Sequence, residues 1–313
     1  MEKQIYQQMT EFFSRKDSKE KYELGLGQID GMINGIEKGK LLVVAGQAND
    51  GREAVMYTFI KHLAVDLHIP SLVINLVTSE DTFYYELMSN VTDTDIDDIR
   101  EEDVISKGSI LKDSEIYVEF PKDRSLEHIE QTIRDYAQKG VELVFIDMFQ
   151  AVDYKDDIEH FCDNELLFFK EKNSKHLYLL SKDLRINIFM GSAVSYMASD
   201  REGLDSQKPI LKDMVYASRL DEYSDVVLGV FVPYTHSIFY DFKGKNLRDQ
   251  IEVTVLKNKI NHKLGCFSMK YDFYHNKVVD DKGYNKELVK ELMNTNTAFN
   301  ELVIGMGLMP ANE

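Results

Sequence analysis

Cysteine is almost missing from this chain of 313 residues: Cys162 and Cys266 are the only two, far apart, with no CxxC pair and no histidine at metal-ligand spacing. A disulfide framework and a cysteine-based metal centre are excluded, and both thiols are expected to be reduced core residues of a cytoplasmic protein. Long apolar runs are missing as well. Nothing approaches the roughly 20 consecutive apolar residues that a membrane span requires. The opening MEKQIYQQMTEFFSRKD has no apolar signal-peptide core, so neither export nor a membrane is expected. Positive charge is scarce: 37 Lys and Arg stand against 54 Asp and Glu, a net charge of −17. A chain that grips phosphate backbones usually shows a basic face. Strong DNA binding by the acidic monomer is therefore not expected, although a local basic channel can act within an acidic whole. No internal repeat, low-complexity tract or basic–aromatic interleaving of a single-strand stacking platform is visible.

What is present suits a globular α/β protein. Hydrophobic residues make up 43% and charged residues 29%, an ordinary balance for a chain able to bury a core. Buried strands are expected at LLVVAG, SLVINLV, SEIYVEF, VELVFIDMFQAV and INIFMGSAV, and later at SDVVLGVFV, IEVTVLKNK and CFSMKYDFY. Helical periodicity lies between them, near 53–67, over 80–104, in SLEHIEQTIRDYAQKG behind the cap Ser125, and in NELLFFKEKNSKHLYLLSKDLR. Early alternation of strand and helix followed by strand-rich sequence predicts a mostly parallel twisted sheet flanked by helices, with extra antiparallel strands at its C-terminal edge. Three parts are expected: an N-terminal helix and linker over 1–24, the main domain over 25–280, and a helical extension over 281–313.

The stretch AGQANDGREA, residues 45–54, sits between the strand LLVV and the helix that follows. Strand, glycine-bounded loop and helix are the layout of a phosphate-binding loop, G-x-x-x-x-G-K-[ST]. Gly46 and Gly51 have its spacing, but Arg52 stands at the Lys position and Glu53 at the Ser/Thr position. By itself, lacking Lys and Ser/Thr, the loop reads more readily as a simple glycine turn between strand and helix.

The ordered series downstream resembles the RecA-like P-loop ATPases, and more closely the C-terminal ATPase domain of DnaB-type replicative helicases. ELGLGQIDGMINGIEKGKLLVVAG resembles that family's entry into its phosphate loop. VFIDMFQAV resembles its Walker B strand, with Asp147 and Gln150 in place. LKDMVYASRLDEYSDVVLGVFV keeps Asp213 and Asp225, and IEVTVLKNKINHKLG puts Lys257 and Lys259 at the basic positions of its late hairpin. The likeness spans about residues 5–275. It implies ATP and Mg²⁺ as cofactors, with Gly46, Gly51, Arg52 and Glu53 at the nucleotide and Asp147 as metal ligand and, in an active enzyme, catalytic residue. It further implies that Lys257 and Lys259 contact phosphate across a subunit boundary, with a charged sheet face as the plain alternative. His262 and Lys263 extend that patch. The helix over 4–15, with Ile5, Met9, Phe12 and Phe13, resembles the linker helix that docks on a neighbouring subunit, or else folds back on its own domain.

Four catalytic elements depart from the family pattern. Arg52 is a broad planar fork where a slim ammonium is expected. Glu53 brings a carboxylate beside phosphates, a repulsion of roughly 4 kcal/mol at about 4 Å and an effective dielectric near 20. Val77 stands where the family has its water-polarising Glu, with Glu80 three residues on. The γ-phosphate-sensing pair becomes Ser192-Ala193, and the following "R-E" becomes Val215-Tyr216. The resemblance, so altered, implies a pseudo-ATPase: a non-hydrolysing or weakly ATP-binding assembly or regulatory component linked to DNA replication or repair. It is expected to form a homo-oligomer or bind a helicase-related partner. A divergent ATP-dependent DNA helicase or translocase and a pure interaction scaffold are the alternatives. The separate helical domain that precedes the linker helix in full replicative helicases has no counterpart in these residues, which argues against a stand-alone replicative helicase.

Overall fold

The apolar runs become the strands of a single nine-stranded sheet, and the periodic segments become helices on its two faces. The structure, a computed structural model, describes residues 5–7, 9–10, 20–152, 163–194, 198, 201, 204–214, 219–241 and 243–280. A two-stranded ribbon comes first, β1 (Lys21–Tyr22) with β2 (Ile36–Glu37), enclosing α1 (Gly27–Ile33). The main sheet holds β3 (Leu41–Gly46), β4 (Ser71–Asn75), β5 (Ile116–Glu119), β6 (Leu143–Asp147), β7 (Asn187–Ala193) and β8 (Val226–Phe231), then β9 (Gln250–Asn258), β10 (Gly265–Asp272) and β11 (Lys277–Val279). Further helices among the described residues are α2 (Arg52–Ile60), α3 (Glu80–Thr92), α4 (Glu101–Ser106), α5 (Leu126–Gln138) and α6 (Asp163–Leu184).

Strand order is β11-β10-β9-β8-β3-β7-β6-β4-β5; β8 through β5 run parallel, and β9, β10 and β11 add antiparallel pairs at one edge. Parallel strands need crossovers that cover both faces, so every residue of β3, β4 and β8 is buried. Alternation still sorts side chains between two cores. Leu42 and Val44 join one with Phe59 of α2 and Leu87 of α3, while Leu41, Val43 and Ala45 join the other with Ile133 of α5 and Leu180 of α6.

Two expectations are refined. The helix expected near 53–67 forms as α2, but Lys61–Asp66 continue it with π-type bonds, such as Leu67 N–H to His62 C=O at 3.0 Å. The acidic stretch 80–104 splits where Asp93 adopts a left-handed φ of 54° and closes α3. Ser125 caps α5 as expected, accepting from His128 N at 3.3 Å.

The topology prepares a crevice. From β3 the chain crosses over β7 and β6 to reach β4, and it later passes β3 again to form β8 on the other side. Ligands of open α/β sheets bind where strand order reverses in this way, outside the carboxyl ends. At that end Gly46 is paired with Ala193, and Asn75 with Asp147.

Candidate functional site

Gly46 ends β3, Asp50 N donates to Gln47 C=O at 3.3 Å, and Gly51 forms the N-cap of α2 with φ 75° and ψ 20°. A side chain would resist this left-handed conformation, and a Cβ there would lie 2.8 Å from Ile251 Cδ1. The first-turn amides of α2 thus open at the strand ends, the geometry of an anion seat. Asp50 locks the loop from below. It is fully buried, and its Oδ1 accepts from Val232 N at 3.3 Å, the Thr235 hydroxyl at 3.0 Å and His236 Nε2 at 2.8 Å. Burial pushes the Asp50 carboxyl above its ordinary range, opposed chiefly by His236. The His236 ring in turn stacks on Phe231, with centroids 4.5 Å apart.

Arg52 is buried and does not reach into solvent from the seat. Its Nη2 donates to Glu53 Oε1, and its Nε lies 3.5 Å from Asp147 Oδ1. Burial raises Asp147 to a pKa of about 6, Arg52 pulling it down and Glu53 pushing it up. Glu86 of α3 joins this acidic group: it accepts from the Tyr57 hydroxyl at 2.8 Å, and burial, then Glu53 and Asp147, raise its pKa. Glu53, Tyr57, Asn75, Phe145 and Asp147 line one small cavity. The close approach of Asp147 depends on Gly191 of β7, where a Cβ would fall 2.4 Å from Asp147 Oδ1. Among the described residues, no group of three or more His, Cys, Asp or Glu is arranged to hold a metal ion.

The flanking strand ends are occupied by local bonding. Asn75 Oδ1 accepts from Val77 N at 3.1 Å and Thr78 N at 2.9 Å, turning the chain and leaving Val77 exposed. Glu80 is exposed at the start of α3. Gln150 Nε2 donates to Ser192 Oγ at 2.8 Å and its Oε1 accepts from Ala193 N at 3.1 Å, stapling the exit of β6 to that of β7.

Lys257 and Lys259 lie at the other end of the sheet. Lys257 is paired with Val227 near the start of β8, and Lys259 N donates to Asp225 C=O at 2.8 Å, so neither meets the phosphate loop of its own chain. Lys257 Nζ donates to Glu222 C=O at 3.1 Å and Ser224 Oγ at 3.2 Å. Burial, then its neighbour Lys259, depresses its pKa to about 8. Lys259 is exposed and reaches Glu222 C=O at 3.0 Å. Asp225 anchors this end: it accepts from Leu41 N at 2.9 Å and from Lys182, with Lys40 3.7 Å away. Asp213 pairs with Arg201. Cys266 is half-buried and its thiol is pushed up to about 11, first by burial.

Ile5 and Met9 are exposed on a helical segment, whereas Phe12, Phe13, Cys162, Val215, Tyr216 and the expected extension over 281–313 lie outside the described residues. Asp50, His236, Glu86 and Gly191 were not singled out by sequence reasoning. An Asp before Gly carries the signal of a solvated turn, and nothing local announces that Asp50 is buried.

The family model for the DnaB-like helicase C-terminal domain matches residues 22–278. A probable replicative DNA helicase of Guillardia theta is 24% identical over 61% of this chain and 32% of its own length. One from Trieres chinensis is 19% identical over 82% of this chain and 56% of its own. The chain thus spans about a third to just over half of these relatives. Among solved structures, a separately determined ATPase domain superposes with a TM-score of 0.74 at 16% identity, covering 90% of this chain and 100% of that one. A DnaB-like replicative helicase described with its primase interactions gives 0.73 at 16% identity, covering 90% and 68%. Strand order, loop position and the extent of the family match agree: this chain belongs to the DnaB-like helicase C-terminal domain family.

Proposed function

We propose that the chain is an assembly or regulatory component connected to DNA replication, whose nucleotide site binds ATP weakly or without hydrolysis. The observation that carries this reading is the commitment of Arg52 to Glu53 and Asp147 inside the loop's own seat. A magnesium–triphosphate needs a slim cation and a hydroxyl at these two positions. Here the cation is neutralised by the chain's own carboxylates, and Glu53 with Glu86 and Asp147 makes the surroundings of the seat acidic. The residues present do not fit that group in this arrangement. The link to replication is carried by the replicative helicases among the relatives.

Self-association is part of the reading. Ile5, Tyr6 and Met9 are exposed on one short helical segment, and a groove lined by Tyr84, Tyr85, Met88, Ile99 and Val104 offers an apolar surface for such a segment from another copy. Replacing Ile5 and Met9 with Ser is expected to lower the mass seen by sedimentation velocity; an unchanged mass removes the helix from the interface.

A divergent ATP-driven translocase is the second reading, favoured by the intact Gln150–Ser192 contact, the exposed Lys259, and an Asp147 Oδ1 that lacks a hydrogen-bond partner. Calorimetric titration with ATP and Mg²⁺ separates the two, combined with phosphate release with and without single-stranded DNA. The unaltered chain is expected to give little heat and no release, and Arg52→Lys with Glu53→Thr to gain binding. DNA-stimulated release abolished by Asp147→Ala would overturn the proposal in favour of a motor.

A further inference from the structure

Between β8 and β9 the chain folds into a short hairpin, where Tyr240 pairs with Asn246 and Leu247 N donates to Phe239 C=O at 2.9 Å. Phe231, Ile238 and Leu247 pack together at its base. Asp241 Oδ1 fixes its turn, accepting from Lys243 N and Lys245 N at 2.8 Å each. Gln250 N then donates to Leu247 C=O at 3.2 Å, in a turn that buries Leu247 and leaves Arg248 and Asp249 exposed. Against this return arm lies the face of β10 and β11 that carries Lys270, in register with Gln250 on one side and Val279 on the other. The two surfaces enclose a cleft of about 570 Å³, a volume typical of ligand sites.

Lys245, Arg248 and Lys270 line the cleft. All three are exposed, and among the described residues none of their charged groups has an ion pair. On a chain of net charge −17, three uncommitted cations around one cleft are a local exception. The two acids of the cleft differ. Asp280 is taken up by the backbone, accepting from Gly27 N at 2.8 Å and Gln28 N at 3.4 Å. Asp249 is exposed; its C=O accepts from Tyr271 N at 2.8 Å, but among the described residues its carboxylate has no hydrogen bond or ion pair. Half-buried Val279 supplies an apolar wall, and no aromatic side chain is among the described residues that line the cleft.

We propose that this cleft docks a short acidic segment of a partner protein, with carboxylates on Lys245, Arg248 and Lys270 and an apolar side chain on Val279. Charge complementarity gives the sign of the occupant. Its class follows from the other features. Asp249 calls for hydrogen-bond donors, which a peptide backbone carries at nearly every residue and a DNA backbone lacks. A single nucleic-acid strand also takes much of its affinity from bases stacked on aromatic rings, and no ring is offered here. Arg248 can hold a carboxylate through two parallel bonds, whereas the two lysines act as point charges. The site is separate from the phosphate loop, and its occupancy does not depend on how that loop is filled.

Fluorescence anisotropy of the labelled peptide Glu-Leu-Glu-Leu-Glu-Leu-Glu tests this, with the peptide carrying Gln in place of every Glu as its uncharged control. The unaltered chain should bind the Glu peptide saturably, less tightly as salt is raised, and should not bind the Gln peptide. Combined Lys245→Ala, Arg248→Ala and Lys270→Ala should weaken binding about tenfold, since three exposed ion pairs are lost. Combined Lys112→Ala, Lys122→Ala and Lys175→Ala remove the same charge at exposed positions off the cleft, and should leave binding within about twofold. Val279→Ser should weaken the Glu–Leu peptide about fivefold, and a peptide with Ser in place of Leu hardly at all. Thermal unfolding establishes that each variant is folded; Arg248→Ala alone, expected to weaken binding about threefold, serves if the triple variant is not. Equal losses in the two triple variants would reduce the effect to overall charge and overturn the proposal. So would the absence of saturable binding of the Glu peptide. Displacement of the labelled peptide by oligo(dT) of about 12 nucleotides at lower concentration than by the unlabelled peptide would also overturn it, marking a nucleic-acid site instead.

Discussion

Arg52 Nε lies 3.5 Å from Asp147 Oδ1, joining the first turn of α2 to the carboxyl end of β6 across the mouth of the sheet. The contact is an ion pair rather than a hydrogen bond, and neither atom has another partner. Side-chain exposure is 8% for Arg52 and 20% for Asp147, so each charge relies on the other more than on water. One cation therefore meets two carboxylates, Glu53 and Asp147, and Glu86 interacts with both of those acids. Burial holds Asp147 at a pKa of about 6, with Arg52 pulling it down more than Glu53 pushes it up.

Removing the cation should therefore expose the carboxylate's desolvation. Arg52→Met is expected to cost about 3 kcal/mol at pH 8, the low end for breaking a buried pair. At pH 5 most of that loss should disappear, because Asp147 takes up a proton instead. Urea unfolding at the two pH values measures both quantities.

Asp147 itself gives a pH dependence of defined sign. Its pKa of about 6 in the folded chain exceeds the ordinary carboxylate value of 3.8, so between these pH values the folded state binds more protons than the unfolded state. The stabilising contribution is complete below pH 3.8 and is lost as pH rises through 6. Asp147→Asn cannot ionise. Its stability relative to the unaltered chain should rise by on the order of 2–3 kcal/mol from pH 4 to pH 7, read from paired denaturation curves. A flat difference would place the Asp147 pKa at its ordinary value.

Gly191 is where the site and the sheet compete for space. Gly191→Ala puts a methyl 2.4 Å from Asp147 Oδ1 and 3.4 Å from Arg52 Nε. Overpacking of this kind costs typically about 1–3 kcal/mol. The loss should be smaller in an Asp147→Ser background, where the colliding carboxylate is gone, and a double-mutant cycle checks that coupling.

The Asp50 latch should respond in graded fashion. Asp50→Ala leaves Val232 N and His236 Nε2 without their acceptor and is expected to destabilise by about 2–4 kcal/mol. Asp50→Asn keeps one acceptor oxygen and should lose less. Thermal unfolding ranks the two, and equal losses would show that filling the space, not accepting hydrogen bonds, is what Asp50 does.

Much of the fold was legible because its strands are apolar on both faces. LLVVAG, VFID and INIFMGSA have no amphipathic alternative, and the glycine spacing of 46 and 51 needs only the local turn it makes. The same is true of Asp147, which the strand pattern puts at a carboxyl end. The latch between Asp50 and His236 was not legible, since 186 residues separate the partners and each looks like a loop residue. Glu86 reaches the site from mid-helix α3, and no local spacing signals that. Lys245, Arg248 and Lys270 are scattered along the chain, yet β10 and a folded hairpin bring them to one cleft.

By itself the sequence determined the α/β sheet, the place of the phosphate loop and the family, because these depend on periodicity, glycine spacing and the order of segments. Only the tertiary structure decided what the altered positions do. Whether Arg52 reaches outward or turns onto Glu53 and Asp147 depends on the space at Gly191 and on burial of the acids around it. Charges interact through distance and dielectric, and neither is written in local sequence.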